Sequence, residues 1–218
     1  MIINKEGKMK LRTFFFLVIL AVAISSCERP QLTGMELDKI DIFRDPIQTP
    51  ISSPEPITLE VKNSRFTLTP LAEYKLSGRV VSRETYSSGW EGTISPIDLA
   101  IVWGKLSEPE YDQYMSYSQG NRWYFFKYKP SPPFDQSFVI SHSSNNHIIP
   151  ANRNIRLAAK SIKKKDVVVL EGSLVSLKGI YKGEEVTWNS SLSRTDTGNG
   201  SCELFYVTKV RIDTHVYE

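Results

Sequence analysis

From residue 57 onward, apolar and polar residues alternate in a way that predicts strands. Ile57-Thr58-Leu59-Glu60-Val61 has period two, and Phe66-Thr67-Leu68-Thr69 repeats it. A longer strand is expected over residues 73–86, where Tyr74, Leu76, Val80 and Val81 surround Gly78. The strongest strand signal is residues 167–177, again with a glycine, Gly172, inside it. Internal glycines in long strands predict bulges or sharp bends. The run Arg122-Trp123-Tyr124-Phe125-Phe126-Lys127-Tyr128 reads as an aromatic strand, and residues 185–191 and 202–212 as two more. Lys178-Gly179 and Lys182-Gly183 are hairpin punctuation.

Helical signals interrupt this pattern. Ser95-Pro96-Ile97-Asp98 resembles a helix start, with Ser95 as cap, Pro96 at the first position and Gly104 as a stop. Residues 107–115 repeat that logic behind Ser107 and Pro109. Residues 150–162 predict a helix with Ile155, Leu157, Ala158 and Ile162 on one side. Residues 141–150 and 195–200 read as loops. The fold class expected is mainly β with helical insertions (α+β). The two Gly-bent strands favour a small OB-like β-barrel, and a rolled antiparallel sheet with helices on one face is the alternative.

The N-terminus carries a different pattern. Lys8, Lys10 and Arg12 precede an apolar run over residues 14–24, which is of signal-peptide length and short for a membrane span. The run closes on Ile24-Ser25-Ser26-Cys27. This segment resembles the lipobox of bacterial lipoprotein signal peptides. The resemblance implies cleavage before Cys27, a diacylglyceryl group on its thiol and acylation of the new amine. It places the chain in the bacterial cell envelope, bound to membrane through palmitate-type acyl chains. Glu28, in place of the Asp that favours inner-membrane retention in enterobacteria, points to the outer membrane facing the periplasm. An ordinary secretory signal or a single anchor helix is the alternative. Met9 competes with Met1 as the start.

Residues 28–56 hold Pro30, Pro46, Pro50, Pro54 and Pro56, the composition of an extended spacer. Leu37, Ile40, Ile42 and Phe43 offer the alternative of a docked segment. The expected organisation is therefore a signal peptide over 1–26, a tether over 27–56 and one β-rich domain over 57–218.

Charge narrows the partners. Four of the 27 basic residues and one of the 24 acidic residues lie in residues 1–26, so 23 of each remain in the mature chain. A neutral chain lacks the phosphate-neutralising excess of a nucleic-acid binder. The partners expected are the membrane, through lipid, and an envelope protein. The chain has two cysteines; with Cys27 acylated, Cys202 is left without an intrachain disulfide partner. No motif calls for a cofactor.

Candidate chemistry is sparse. His142 and His147 sit five residues apart and could share a metal or serve as bases, with Asp98, Asp196 or Glu203 completing a set. Cys202 with a histidine and an acid would make a nucleophile and its base, although a lone strand cysteine is ordinarily a small buried apolar residue. Arg194 and Asp196 lie in a hydroxyl-rich Gly198/Gly200 loop, where an Arg194–Asp196 contact is expected. The aromatic strand over 123–128 offers a stacking platform for sugars or bases, or simply alternating core and surface positions. Four segments, residues 95–100 with Trp103-Gly104, residues 118–125, residues 142–150 and residues 191–204, together resemble an uncharacterised family of bacterial envelope proteins. That resemblance covers about residues 74–210 and brings no activity with it. The reading is a membrane-anchored envelope lipoprotein presenting a binding or structural β-domain, with a hydrolase or metal-dependent enzyme as the alternative.

Overall fold

A computed structural model describes residues 28–61, 64–198 and 200–218; the lipobox and Cys27 lie outside the described residues. The chain is mainly β, with a large mixed sheet whose strands form a partial ring. Its elements in order are β1 (Gly34–Met35), β2 (Ile47–Pro50), β3 (Ile57–Val61), β4 (Ser64–Thr85), α1 (Gly89–Ile94) and β5 (Ile97–Val102). They continue with β6 (Met115–Gly120), β7 (Trp123–Tyr128), α2 (Gln136–Ser141), β8 (Ser143–Pro150), α3 (Arg153–Ser161), β9 (Val167–Tyr181), β10 (Glu184–Asn189), β11 (Glu203–Ile212) and β12 (His215–Tyr217). Two short 3₁₀ turns, Gly104–Ser107 and Pro109–Gln113, lead from β5 into β6.

Five strands pair in sequence around the ring: β4 with β5, β5 with β8, β8 with β11, β11 with β9, and β9 with β4. All of these pairings are antiparallel except β8 with β11. Inside lie Leu76, Val80, Leu99, Ile101, Ile148, Leu170, Leu174, Phe205 and Val207, all fully buried. Helix α3 plugs this core with Ile155, Ala158 and Ala159. Its start is fixed by Asn152, whose side chain accepts from the Ile155 N–H at 2.9 Å.

Two long strands bend to serve more than one part of the sheet. β9 pairs with β4 along its length, with β11 over its first half and with β10 over its second. The bend sits at Gly172, which packs against the Tyr206 carbonyl of β11 with no room for a side chain. A second core, built on Phe66, Leu68, Val175, Leu177 and Leu204, fills the space beneath the far arms of β4 and β9. A third lies on the outer face of β4 and β5, where Val81, Ala100 and Val102 meet the β6–β7 hairpin.

The segment 95–104, expected as a helix, is instead strand β5. Both its faces are buried, one by the ring interior and one by the hairpin, so its apolar run has no alternation to read. Residues 141–150, expected as a loop, form the last residue of α2 and then strand β8, for the same reason. Of residues 107–115, Pro109–Gln113 form a 3₁₀ turn rather than an α-helix, and Met115 already begins β6.

The Pro-rich stretch is laid along the domain over residues 28–50. β1 pairs with β12, β2 pairs with β4, and Ile40 is buried. The Trp103 indole donates to Asp45 at 3.0 Å, and the Gly104 N–H donates to the Ile42 carbonyl at 2.8 Å. The docked alternative therefore describes this segment, and not a free spacer.

Candidate functional site

Strands β5 and β8 place Asp98 and His147 directly opposite each other, on the outer face of the ring. Asp98 is fully buried, and His147 Nδ1 lies 3.0 Å from its Oδ1, off the angle of a hydrogen bond. The β6–β7 hairpin reaches over this face. Its two-residue turn is Asn121-Arg122, with φ of 51° and 70°. Both residues are left-handed, as tight hairpins require, yet arginine is a costly residue to hold there. The return for that strain is position: Arg122 Nη1 meets Asp98 Oδ1 at 2.6 Å and Nη2 donates to the Ser95 carbonyl at 2.9 Å. The guanidinium also lies 3.7 Å above the Tyr86 ring, with Trp188 at 5.3 Å.

Asn145, two residues before His147 on the same face, fastens the hairpin from below. Its amide donates to the Arg122 carbonyl at 2.9 Å and to the Cys202 sulfur at 3.5 Å, while its oxygen accepts from Gln119 at 2.6 Å. Above this polar patch is a cleft of about 450 Å³, lined by Glu91, Trp123, His147, Trp188, Asn189 and Cys202 among others. Trp188 packs against the His147 ring at 4.7 Å and edge-on against Trp90 at 5.8 Å. An adjoining cavity of about 270 Å³ shares Trp123 and Cys202 and adds Phe125, Asn145 and Asp196.

The six residues singled out from sequence divide into groups. His147 and Cys202 line the main cleft, Asp98 is buried beside His147, and Asp196 lines the adjoining cavity. His142 is elsewhere. It caps the C-terminus of α2, before β8 begins, whereas His147 lies in the middle of that strand. The His142 ring stacks on Phe138 at 4.0 Å, with Nδ1 2.9 Å from the Phe138 carbonyl. The two imidazoles share no site. Among the described residues, no three His, Cys, Asp or Glu side chains gather as a metal-ligand set.

The Arg194–Asp196 contact expected from the loop is not made. Asp196 accepts from the Ser191 hydroxyl at 2.6 Å, and Arg194 turns to Glu203 at 2.9 Å and the Tyr74 hydroxyl at 2.6 Å. Strand β11 starts at Glu203 and carries that carboxylate into the ring, so a buried partner outcompetes a local one. Cys202 is shielded, and burial pushes its thiol up to about 11. At neutral pH it is a protonated thiol, not a nucleophilic thiolate.

Glu203 gives a first prediction. Burial raises its carboxyl to about 8 against the lowering effect of Arg194, whereas in the unfolded chain it titrates near 4.5. Between these values the folded protein holds a proton that the unfolded chain has lost. Stability should therefore fall as pH rises from about 4.5 to about 8. Glu203→Gln should flatten that slope in urea unfolding at pH 5 and 8.5; equal slopes would refute the assignment.

Sequence reading missed Arg122, Tyr86, Trp188 and Asn145 as site residues. The one local signal was Gly120-Asn121, a turn dipeptide between two aromatic strands, which marks Arg122 as a turn residue. No protein family, curated protein or solved structure matches this chain.

Proposed function

We propose that this chain is a bacterial envelope lipoprotein whose β-domain is an OB-like module that binds a neutral glycan. The fold reading rests on strand order. Taken in chain order, β4, β5, β8, β9 and β11 pair as 1-2-3-5-4-1, the third and fifth strands are parallel, and α3 lies between the third and fourth. OB-like barrels bind ligands on the face of the second and third strands, between the loops joining strands one to two and four to five. The observation that carries the functional reading is that the main cleft occupies this position. His147 comes from the third strand and Glu91 from the first loop. Trp188, Asn189 and Cys202 belong to the connection between the fourth and fifth strands.

Charge selects the ligand class. The mature chain is balanced, and Arg122, the cleft's guanidinium, is already paired with Asp98. Glu91 adds negative charge at the rim. Such a cleft repels phosphate and offers nothing to a nucleic-acid backbone. What it offers is two indole faces, an amide, an imidazole and a carboxylate, which suit the apolar face and the hydroxyls of a sugar. Binding rather than hydrolysis follows from the protonated Cys202 thiol and the distant His142.

Titration with tetrameric N-acetylglucosamine, followed by tryptophan fluorescence, tests this reading. Saturable binding is expected, weakened about tenfold in Trp123→Ala, since aromatic stacking is worth on the order of 1–3 kcal/mol. Trp123 is half-exposed, so its removal should leave the fold intact. No saturation with oligosaccharide, or tighter binding of a single-stranded oligonucleotide, would refute it.

The lipid anchor is tested separately. Cys27→Ala should abolish palmitate incorporation and leave an unprocessed precursor, with no change in the thermal midpoint of the domain. Label retained by the variant, or never taken up by the wild type, would remove the lipoprotein reading.

A further inference from the structure

If Cys27 is acylated, the docking of residues 28–37 has a consequence for how the domain sits. The chain is pinned from its first described residue. Glu28 pairs with Arg153 at the start of α3. The Gln31 N–H donates to Asn154 Oδ1 at 2.6 Å, and Asn154 Nδ2 donates back to the Gln31 carbonyl at 2.8 Å and to the Glu218 carbonyl at 2.9 Å. The Thr33 N–H donates to the Val216 carbonyl, and β1 then pairs with β12. Glu36 closes the strap on Lys209 at 2.8 Å and Arg211 at 2.7 Å, and Arg211 is nearly fully buried. An extended residue spans at most about 3.6 Å, so no slack remains between Cys27 and the domain surface.

The same strap shows an apolar side to solvent. Met35 and Leu37 alternate with Glu36, which turns inward to Arg211, so both point outward. Leu37 is 81 % exposed, Met35 58 % and Leu32 44 %. These are three of the ten large apolar side chains exposed among the described residues, and all lie within ten residues of Cys27. Apolar side chains gathered on a surface need a partner. Here the partner is fixed by position, because acyl chains on Cys27 bring the bilayer to this end of the domain and hold it there.

We infer that Met35 and Leu37 seat the domain directly on the lipid surface, giving it one orientation instead of a tethered swing. This inference rests on the lipoprotein reading. Lys182, in the β9–β10 turn, is the reference position away from the strap. β1 and β12 lie level with the first residues of β9, and Lys182 follows some twelve residues later along the strand, about 40 Å of chain.

The test uses the full lipidated chain in phosphatidylethanolamine–phosphatidylglycerol vesicles, with an environment-sensitive fluorophore on Leu37→Cys or on Lys182→Cys, in a Cys202→Ser background. Acyl-chain-brominated lipid should quench position 37 at least roughly threefold more than position 182, because an interfacial side chain reaches only about 5–10 Å into the headgroup boundary. Palmitate incorporation is measured on the same samples. Equal, weak quenching at both positions in acylated protein would overturn the seating, as would protection of position 37 by a bound protein instead of lipid. Absence of palmitate would remove the anchor itself, and this inference with it.

Discussion

Arg122→Ala should destabilise the domain by about 3–5 kcal/mol, the cost of leaving a buried charge without its partner. Asp98 is fully buried between β5 and β8, and its second oxygen has no hydrogen-bond partner even with Arg122 in place. Removing the guanidinium also takes away the contact with the Tyr86 ring and the bond to the Ser95 carbonyl. The hairpin then loses its clasp on the outer face of the ring. Asp98→Ala alone should cost less than Arg122→Ala, because Arg122 is partly solvated and retains Tyr86 and Ser95. The double variant should be more stable than the sum of the two single effects by roughly 1–3 kcal/mol, since the residues interact directly. Urea unfolding of the four proteins measures this coupling. Additive effects would show that Asp98 and Arg122 do not act as a pair, and would take the basis for a charge-neutral cleft with them.

The same pair shows which parts of this structure can be read from sequence. Strands with one wet face were legible: β3 and β7 alternate as their residues do, and the β6–β7 aromatics divide into Tyr124 and Phe126 packed inward with Trp123 and Phe125 outward. Helix α3 was legible because its apolar residues fall on one side. β5 and β8 were not. Each is covered on both faces, so Ile97–Val102, apolar except for Asp98, shows no alternation, and Ser95-Pro96 in front of it imitates a helix start. In β8 the outer face is polar although buried, because Asn145 bonds Arg122 and Gln119, and His147 lies beside Asp98 beneath Trp188.

The site was therefore half visible. Asp98, His147 and Cys202 were chosen as chemically able residues, and they do converge. The residue that organises them, Arg122, was taken as the first residue of a strand, because nothing local reveals a side chain aimed at an aspartate 24 positions earlier. Arg194 shows the opposite failure. Sequence proximity favours Asp196, but the fold aims Arg194 at Glu203 at the start of β11 and at the Tyr74 hydroxyl of β4 instead. The glycine expectation held beside Gly172 and not at Gly78: in β4 the register shifts fall at Pro70/Ala72 and Val80/Ser82. A long strand with an internal Gly was expected to bend, and β9 does so at Gly172.

That bend carries the second large effect. Gly172→Ala should lower stability by about 3 kcal/mol, near the upper end of what inserting one carbon into a packed site costs. A Cβ at this position would run into the Tyr206 carbonyl oxygen, with the Tyr206 carbonyl carbon and Val207 Cα immediately behind it. The obstacle is backbone, so no side-chain rotation can relieve it. Relief requires β9 and β11 to separate where Gly172 faces Val207 and Ser173 faces Tyr206, which is also where the register between the two strands shifts. The circuit of strand pairings passes through this contact, so the loss reaches Phe205 and Val207 in the interior. At roughly 2–4 °C per kcal/mol for a chain of this size, the thermal midpoint should drop by about 6–12 °C. Gly183→Ala, at the β9–β10 turn with open space around it, serves as the comparison, because it has the strain of a positive φ without the clash. It should cost only about 1–2 kcal/mol. If Gly172→Ala proves no worse than Gly183→Ala, the close contact of β9 and β11 at the bend does not hold the ring together.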